Sequence, residues 1–152
     1  MRLIWVIICF VLIQSSSSFG NPNGKGVLCE CIKCRFDTKV TGYLFEWDYI
    51  TDYYFLLNND EITIQKGSTY EYRTNSNTIH WINENKYDYE LNRKDLILTY
   101  YFKTISDGDL LKVGSETRQC KIYSKHEFLK SLEKIQPIYQ GIVNKSLKGN
   151  KL

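Results

Sequence analysis

The sequence predicts a mainly β (α+β) domain: an antiparallel meander of seven or eight strands, folded as a sandwich or partial barrel, with a C-terminal amphipathic helix. Turn-forming clusters of Asn, Asp, Gly and Ser recur about every 8 to 12 residues, which is typical of hairpins. Between the clusters, apolar or aromatic residues alternate with polar ones, as in half-buried strands. After Tyr123 the apolar spacing becomes helical, which predicts the helix.

The chain begins with a stretch typical of a secretory signal peptide. Arg2 precedes an apolar run over 3–13 and a Ser-rich segment. A bilayer span takes about 20 apolar residues, so neither this run nor any later one predicts a transmembrane segment. Ser18 and Gly20 supply the small residues that place cleavage after Gly20. The protein is therefore expected to be secreted or periplasmic once residues 1–20 are removed.

Four cysteines lie beyond the leader, at Cys29, Cys31, Cys34 and Cys120. In an exported domain they predict two disulfides. If "VLCECIKC" is a strand, Cys29 and Cys31 face the same side and are badly placed to bond each other. The favoured pairs are Cys29 with Cys120 and Cys31 with Cys34, and exchanging Cys29 for Cys31 remains open. A zinc site lacks a second short ligand pair, and the C-x-x-C spacing lacks a βαβ context, so no metal ligand is predicted.

The β-domain is expected over 27–123, after a flexible start at 21–26. The segment 51–59 is apolar on both faces. It predicts a strand covered on both sides, or one whose second face carries a site. Period-two alternation predicts further strands, with apolar residues at Ile62 and Ile64, Tyr70 and Tyr72, Ile79 and Trp81, Tyr89 and Leu91, and Leu98 and Tyr100.

A helical segment is expected over 124–144. Ser124 and Glu127 have the spacing of a capping box, and an apolar face follows at Phe128, Leu132 and Ile135. Pro137 is expected to end or kink this helix. A basic tail over 145–152 is expected to be solvated, with weak membrane-surface contact as the alternative.

Two stretches carry a resemblance to known proteins. "YELNRKDLIL" at 89–98 and "RQCKIYSKHEF" at 118–128 resemble small exported, functionally uncharacterised β-rich proteins of marine alphaproteobacteria that share an N-R hairpin motif. Those proteins have a signal peptide, an early L-x-C strand and a late q-C-k strand. Here Leu28 precedes Cys29 directly, and Asp95 stands where the pattern usually has Thr. The resemblance implies a β-rich exported fold and no particular activity.

No catalytic or cofactor motif is present in the sequence. It contains no G-x-S-x-G, H-E-x-x-H, phosphate-loop or dinucleotide pattern, so neither a catalytic residue nor a cofactor is predicted. His80 is expected to be a plain strand residue and His126 an exposed residue of the first helical turn. The chain is therefore not expected to be an enzyme. The alternative is a small periplasmic hydrolase or thiol enzyme whose residues assemble in space, for example His80 with a carboxylate.

The aromatic content favours a binding protein. The chain holds 12 Tyr, 7 Phe and 3 Trp, and Tyr and Trp dominate interface hot spots. A formal charge of +3 is too small to indicate a nucleic-acid partner. The leading hypothesis is a non-enzymatic module that binds a protein, peptide or glycan through an open sheet face near Tyr49, Tyr53 and Tyr54.

Two further hypotheses concern Arg93 and the interior of the fold. Arg93 is either an exposed polar anchor for such a partner or a turn residue whose guanidinium pairs with a carboxylate or with exposed carbonyls. A small barrel with an internal cavity would instead make the protein an apolar-ligand carrier.

Overall fold

The computed structural model describes residues 19–33, 40–106 and 109–149. Eight strands and one helix follow one another in these segments. The strands are β1 (Lys25–Lys33), β2 (Val40–Glu46), β3 (Tyr49–Asn58), β4 (Glu61–Thr74), β5 (Thr78–Ile82), β6 (Asp88–Asn92), β7 (Ile97–Ser106) and β8 (Asp109–Ser124), and the helix is α1 (Lys125–Gly149).

The strands form a closed antiparallel barrel in which each strand pairs with its neighbours in sequence. Closure comes from pairing between β1 and β8. The predicted meander with a C-terminal helix is confirmed, and the choice between sandwich and partial barrel is resolved as a fully closed barrel. Closure gives every strand a partner on each side, although β4 meets β5 over only three residues, and it thereby shortens the free edges that serve as templates for aggregation.

A disulfide joins the first strand to the last. Cys29 and Cys120 are direct register partners on β1 and β8 and are bonded to each other, as the favoured pairing predicts. Cys31 is also disulfide-bonded. Its predicted partner, Cys34, lies outside the described residues.

One half of the barrel interior is apolar. We call it the apolar end, and it is built from Phe19, Val27, Phe45, Ile50, Ile79, Trp81, Leu91, Leu98 and the Cys29–Cys120 disulfide. Every one of these side chains is buried. Burial of apolar surface on this scale stabilises a fold by roughly 25 cal/mol per Å² removed from water. Because side chains fill this half, the apolar end is a packed core.

Helix α1 covers part of the outer wall of the barrel. Phe128 and Leu132 pack on Leu28 and Leu44 of the first two strands. Tyr53 and Phe55 of β3 join this outer cluster, while Ile50 on the same strand faces the interior. Cover on both sides, one of the two predicted outcomes, is thus met only in the first part of β3, because Tyr54, Leu56 and Leu57 are 40 %, 44 % and 51 % exposed.

The capping box at the start of α1 is confirmed. The Ser124 hydroxyl donates to Glu127 Oε2 at 2.7 Å, and the Ser124 backbone N–H donates to the same carboxylate at 3.1 Å. These hydrogen bonds lower the pKa of Glu127 below its ordinary value. His126 is exposed in this first turn.

The helix does not end at Pro137, and it includes the first residues of the predicted basic tail. Side chains on both sides of the proline fix the helix to the start of β4. Gln136 Nε2 donates to the carbonyl of Ile62 at 2.7 Å, and the Ile62 N–H donates to Gln140 Oε1 at 2.7 Å. Tertiary hydrogen bonds of this kind compensate for the helical bond that a proline removes.

Candidate functional site

The barrel interior becomes polar beyond the apolar end. We call this region the polar end. The register of the strands identifies its members, because cross-strand partners point to the same face of a sheet. Asp52 is the partner of buried Tyr43, and Glu116 is the partner of Tyr100. The polar end comprises Thr41, Tyr43, Asp52, Tyr89, Tyr100, Glu116 and Arg118.

Two of these residues form a buried ion pair. Glu116 is 2 % exposed and Arg118 is 4 % exposed, and Arg118 Nη2 lies 4.0 Å from Glu116 Oε2. Arg118 Nη1 also donates to the Thr41 hydroxyl at 3.0 Å. Because buried charges are costly unless paired and hydrogen-bonded, this pair is held inside the barrel by a network of specific partners.

Tyr100 extends the same network. Its hydroxyl donates to Glu116 Oε2, and the Arg118 guanidinium carbon lies 5.7 Å from the centre of its ring. Burial, together with the Glu116 hydrogen bond, raises the pKa of Tyr100 to about 12. The phenol is therefore neutral at ordinary pH and acts as a hydrogen-bond donor to the carboxylate.

Asp52 differs from the other charged residues of the polar end. Its Oδ1 is buried, and no hydrogen-bond partner reaches that oxygen from the part of the chain that the structure describes. Backbone N–H groups of Asp52 and Ser68 hold part of the carboxylate and lower its pKa, but desolvation by burial is the larger effect. Together with the nearby charge of Glu84, burial raises the pKa of Asp52 above its ordinary 3.8.

Gly67 on β4 makes room for this carboxylate. A Cβ at residue 67 would overlap the Asp52 carboxyl group. The pairing of β3 with β4 shifts register between Thr51 and Tyr53, and bulges of this kind re-aim side chains next to functional sites. The backbone around Asp52 therefore admits a half-buried acid where regular pairing would not.

Stacked aromatic rings line the wall beside Asp52. Trp81 and Tyr89 are stacked at 5.1 Å, Tyr89 and Tyr100 are stacked at 5.2 Å, and Tyr43 lies 5.2 Å from Trp81. Burial raises the pKa of Tyr43 and of Tyr89 above the ordinary value. These hydroxyls stay neutral, so the wall supplies uncharged polar groups, while Trp81 and Tyr100 on the neighbouring strands cover the faces of the Tyr89 ring.

A surface pocket of about 400 Å³ lies over the short pairing between β4 and β5. That pairing involves three residues of each strand, from Tyr72 opposite Trp81 to Thr74 opposite Ile79. The pocket is lined by Tyr70, Glu71, Tyr72, Arg73, His80, Trp81 and Ile82. Trp81 links it to the polar end, because the same indole contacts Tyr43 and Tyr89.

The structure does not bring the predicted binding tyrosines onto one open face. Tyr53 is half-buried under α1, with its ring edge-to-face against Phe128 at 5.4 Å. Tyr54 is 40 % exposed, and strand alternation turns it to the opposite side of β3, towards Tyr70 of the interior wall. Tyr49 is 48 % exposed at the beginning of β3.

Arg93 lies just after β6, and its guanidinium binds backbone carbonyls. Nε donates to the carbonyl of Phe19 at 2.8 Å and Nη2 to that of Gly20 at 2.7 Å. Nη1 donates to the carbonyl of Asn75 and, at 3.2 Å, to the Thr74 hydroxyl. This arrangement matches the interpretation of Arg93 as a turn residue that pairs with exposed carbonyls.

The residues considered for catalysis are placed as follows. His80 points outward on β5 and contacts the carboxylate of Asp88. Cys29, Cys31 and Cys120 are all disulfide-bonded, so no cysteine of the described segments carries a free sulfhydryl. Within the same segments no group of three or more His, Cys, Asp or Glu side chains is placed to hold a metal ion.

The charged residues of the polar end were not singled out in the sequence. Asp52 lies within an apolar run in which neither face can be recognised as interior. Glu116 and Arg118 had a usable signal, because they share the parity of Cys120 and Ile122, the apolar face of β8 that packs in the interior cluster. Charged residues at the alternate strand positions whose side chains point into a barrel indicate a site in its interior.

Comparison of the chain with family models, curated proteins and solved structures finds no match. The class is therefore defined by fold and site alone: a closed eight-stranded antiparallel barrel with a C-terminal helix and a charged, aromatic region inside it. None of the helical segments that the structure describes has the length and apolarity needed to span a membrane.

Proposed function

We propose that this chain is an exported, non-enzymatic barrel that binds a small ligand bearing a positively charged nitrogen at the polar end of its interior. The observation that carries the proposal is the buried, unpartnered Oδ1 of Asp52. A buried acceptor without a partner costs about 1 to 3 kcal/mol. A ligand N–H group that donates to this oxygen offsets the cost, which gives the ligand part of its affinity.

The packing of the barrel limits where a ligand binds. Eight-stranded barrels are just wide enough for side chains to fill or for one small ligand to enter. Here Phe45, Trp81 and their neighbours fill the apolar end. This argues against a carrier of a long apolar ligand and directs ligand binding to the polar end and the adjoining β4–β5 pocket.

The charges of the polar end favour a cation. Arg118 already contacts Glu116, Thr41 and the ring of Tyr100, so its positive charge is largely balanced by these partners. Asp52 and the nearby Glu84 then leave an excess of negative charge around the Asp52 carboxylate. Ring faces of Tyr and Trp attract cations within about 6 Å by roughly 0.5 to 2 kcal/mol, and the ring of Tyr43, which is tilted rather than stacked against its neighbours, lies near the Asp52 carboxylate on the interior wall.

Export is part of the same proposal. It is supported by the Cys29–Cys120 disulfide, since disulfides form and persist in oxidising compartments, and by the leader predicted from the sequence. The resemblance of the 89–98 hairpin to exported proteins of marine alphaproteobacteria stays a prediction.

A matched series of probes tests the charge preference. Tyramine, 4-hydroxyphenylacetamide and 4-hydroxyphenylacetate share one ring and carry a cationic, neutral and anionic group. Thermal unfolding of the oxidised protein should show a concentration-dependent rise in Tm with tyramine, because a ligand that binds only the folded state stabilises it. The rise should be smaller with the amide and absent with the acid. Equal shifts with all three, or a shift with the acid alone, contradict a cation site.

A further inference from the structure

Phe19 is an integral part of the barrel core. Its side chain is 2 % exposed and belongs to the same buried cluster as Val27 and Leu91. Its ring lies edge-to-face against Phe45, with centroids 5.5 Å apart. Removing a buried aromatic side chain from a core is among the most destabilising changes known for single residues.

The backbone around Phe19 is fixed as well. The Phe19 N–H donates to the carbonyl of Arg93 at 3.0 Å, and the Arg93 side chain returns hydrogen bonds to the carbonyls of Phe19 and Gly20 at 2.8 and 2.7 Å. Residues 19 and 20 thus hold both the backbone and the guanidinium of Arg93. A planar guanidinium that binds several carbonyls in one geometry is a specific arrangement.

A cut after Gly20, which the spacing of Ser18 and Gly20 predicts, would remove all of these contacts. The core would lose Phe19, and Arg93 would lose two of its carbonyl acceptors. We propose that the processing site lies upstream, within the run Ser15 to Ser18, so that the mature protein keeps Phe19. This inference rests on the export part of the proposed function.

The serine run satisfies the requirement of a signal peptidase for small residues one and three positions before the cut. Cleavage after Ser17 uses Ser15 and Ser17, and cleavage after Ser18 uses Ser16 and Ser18. In either case water is the co-reactant. The peptide bond breaks, the serine carbonyl carbon gains the hydroxyl as a carboxylate, and the protons pass to the new α-amino group and to solvent.

N-terminal sequencing and intact mass of the exported protein test the inference. The full-length gene is expressed in a host that exports the product. A mature chain starting at Ser18 or Phe19 is the expected result. A mature chain starting at Asn21 or later overturns the placement and leaves export intact. A product that keeps Met1 and stays inside the cell overturns export, and this inference with it.

Matched full-length variants separate the two candidate cuts. Ser16→Leu with Ser17→Leu places a bulky residue at a required position of both proposed cuts, keeps Ser18 and Gly20 for the alternative cut, and should abolish the product starting at Ser18 or Phe19. Gly20→Leu places the same bulk before the alternative cut, where a Cβ meets no neighbouring atom within 4 Å, and should leave processing unchanged. The reverse pattern, with Gly20→Leu alone blocking processing, overturns the inference.

The stability of the exported protein supplies a second readout. Phe19→Ala should lower Tm by roughly 10 °C, because a core aromatic residue is lost. Gly20→Ala, which meets no steric conflict, should leave Tm nearly unchanged. An unchanged Tm for Phe19→Ala would show that Phe19 is not part of the mature fold.

Discussion

Asp52 and Arg93 have opposite roles at the scale of single residues. The Arg93 guanidinium is hydrogen-bonded to three carbonyls and a hydroxyl near the apolar end. The Asp52 carboxylate has a buried oxygen with no partner in the described segments, and its pKa is raised, mainly by burial. The Arg93 hydrogen bonds stabilise the fold, whereas the buried Asp52 carboxylate destabilises it, as residues of functional sites commonly do.

Asp52→Asn should stabilise the protein at neutral pH. Because the folded-state pKa is raised above 3.8, the folded state binds more protons than the unfolded state between those two pKa values. Stability therefore falls as pH rises through that range. Asparagine does not titrate. At pH values above the folded-state pKa of Asp52, the free energy of unfolding of the variant should therefore exceed that of the wild type by about 1 kcal/mol. The difference is small because solvent screens a half-buried carboxylate.

Urea unfolding of both proteins between about pH 4 and about pH 8 measures this difference. The gain should grow with pH and vanish towards low pH, where Asp52 is protonated in both states. Asp60→Asn, an exposed turn residue, is the control and should show no such trend. A loss of stability for Asp52→Asn at every pH would contradict the assignment.

Arg93→Lys should destabilise the fold despite keeping the charge. Lysine has one donor centre and does not reproduce the planar fork that reaches Phe19, Gly20 and Asn75. We expect a loss of about 1 to 3 kcal/mol in the free energy of unfolding. Lys94→Ala, at the exposed neighbouring position, should change it by less than about 0.5 kcal/mol. Equal effects of the two substitutions would exclude the guanidinium contacts as a source of stability.

At the scale of elements, α1 is the part of the molecule whose attachment is most specific. The Phe128 ring lies directly over Gly26 of β1 and Gly42 of β2, where a Cβ on either residue would overlap it. The C-terminal half of α1 is held by its own Gln136 and Gln140, whose side chains form hydrogen bonds with the backbone of Asp60 and Ile62 at the start of β4. The glycines under Phe128 and the amide contacts on both sides of the proline fix the position of the helix on the barrel.

Gly26→Ala should destabilise the protein by about 1 to 3 kcal/mol, since it overpacks the Phe128 contact. The same change at Gly141, an exposed helical residue with no atom near its Cβ, should stabilise it by about 0.5 to 1 kcal/mol. Thermal and urea unfolding measure both effects. In a Phe128→Ala background the Gly26→Ala cost should fall, because the ring is gone, but not vanish, because the Phe128 Cβ lies 2.6 Å from the added methyl group. A cost that is unchanged in that background would mean that the ring is not a source of the clash.

The elements were predictable from the sequence to the extent that their signals are local. Alternation identified the strands around Tyr72, Trp81 and Tyr89, and the capping box at Ser124 identified the start of α1. The helical segment was expected to reach residue 144, but local pattern left open whether Pro137 ends or kinks it, because the contacts that hold the far half come from the start of β4, about 75 residues away along the chain. Local pattern carries no information on such tertiary contacts.

The candidate site was less predictable than the elements. Its position depends on register across many strands, and a shift of one residue moves a side chain from the interior to the surface. For Asp52 the flanking residues are apolar on both faces of β3, so parity alone gives no answer. For Arg118 the signal is the alternation of β8, where Cys120 and Ile122 mark the apolar face and Gln119 and Lys121 the polar one.

At the scale of the whole molecule, the pairing that closes the barrel and the disulfide that cross-links it join the same two strands, β1 and β8. The β1–β8 pairing closes the barrel, and the Cys29–Cys120 disulfide lies in the same ladder. The two cysteines are 91 residues apart in sequence. Non-local pairing of this kind carries a large loop-closure cost, which a covalent link removes from the unfolded state.

The paired substitution Cys29→Ala with Cys120→Ala should lower the free energy of unfolding by up to about 4 to 5 kcal/mol, the chain-entropy value for a loop of this length. Alanine is chosen because both sites are buried. Urea unfolding measures the loss, and the wild type under reducing conditions, where the Cys31 disulfide is broken as well, should lose at least as much. A change below about 1 kcal/mol in both experiments would show that strand pairing alone closes the barrel.

Calorimetric titration of tyramine into the wild type and into Asp52→Asn, from about pH 4 to about pH 8, tests the central claim most directly. If the Asp52 carboxylate binds the cation, wild-type affinity rises with pH as that carboxyl group ionises. The variant should bind about 10- to 100-fold more weakly at neutral pH, as expected for a lost charge-assisted hydrogen bond, and show no pH dependence from this position. Equal affinities in the two proteins at every pH would contradict a cation site at the polar end of the barrel.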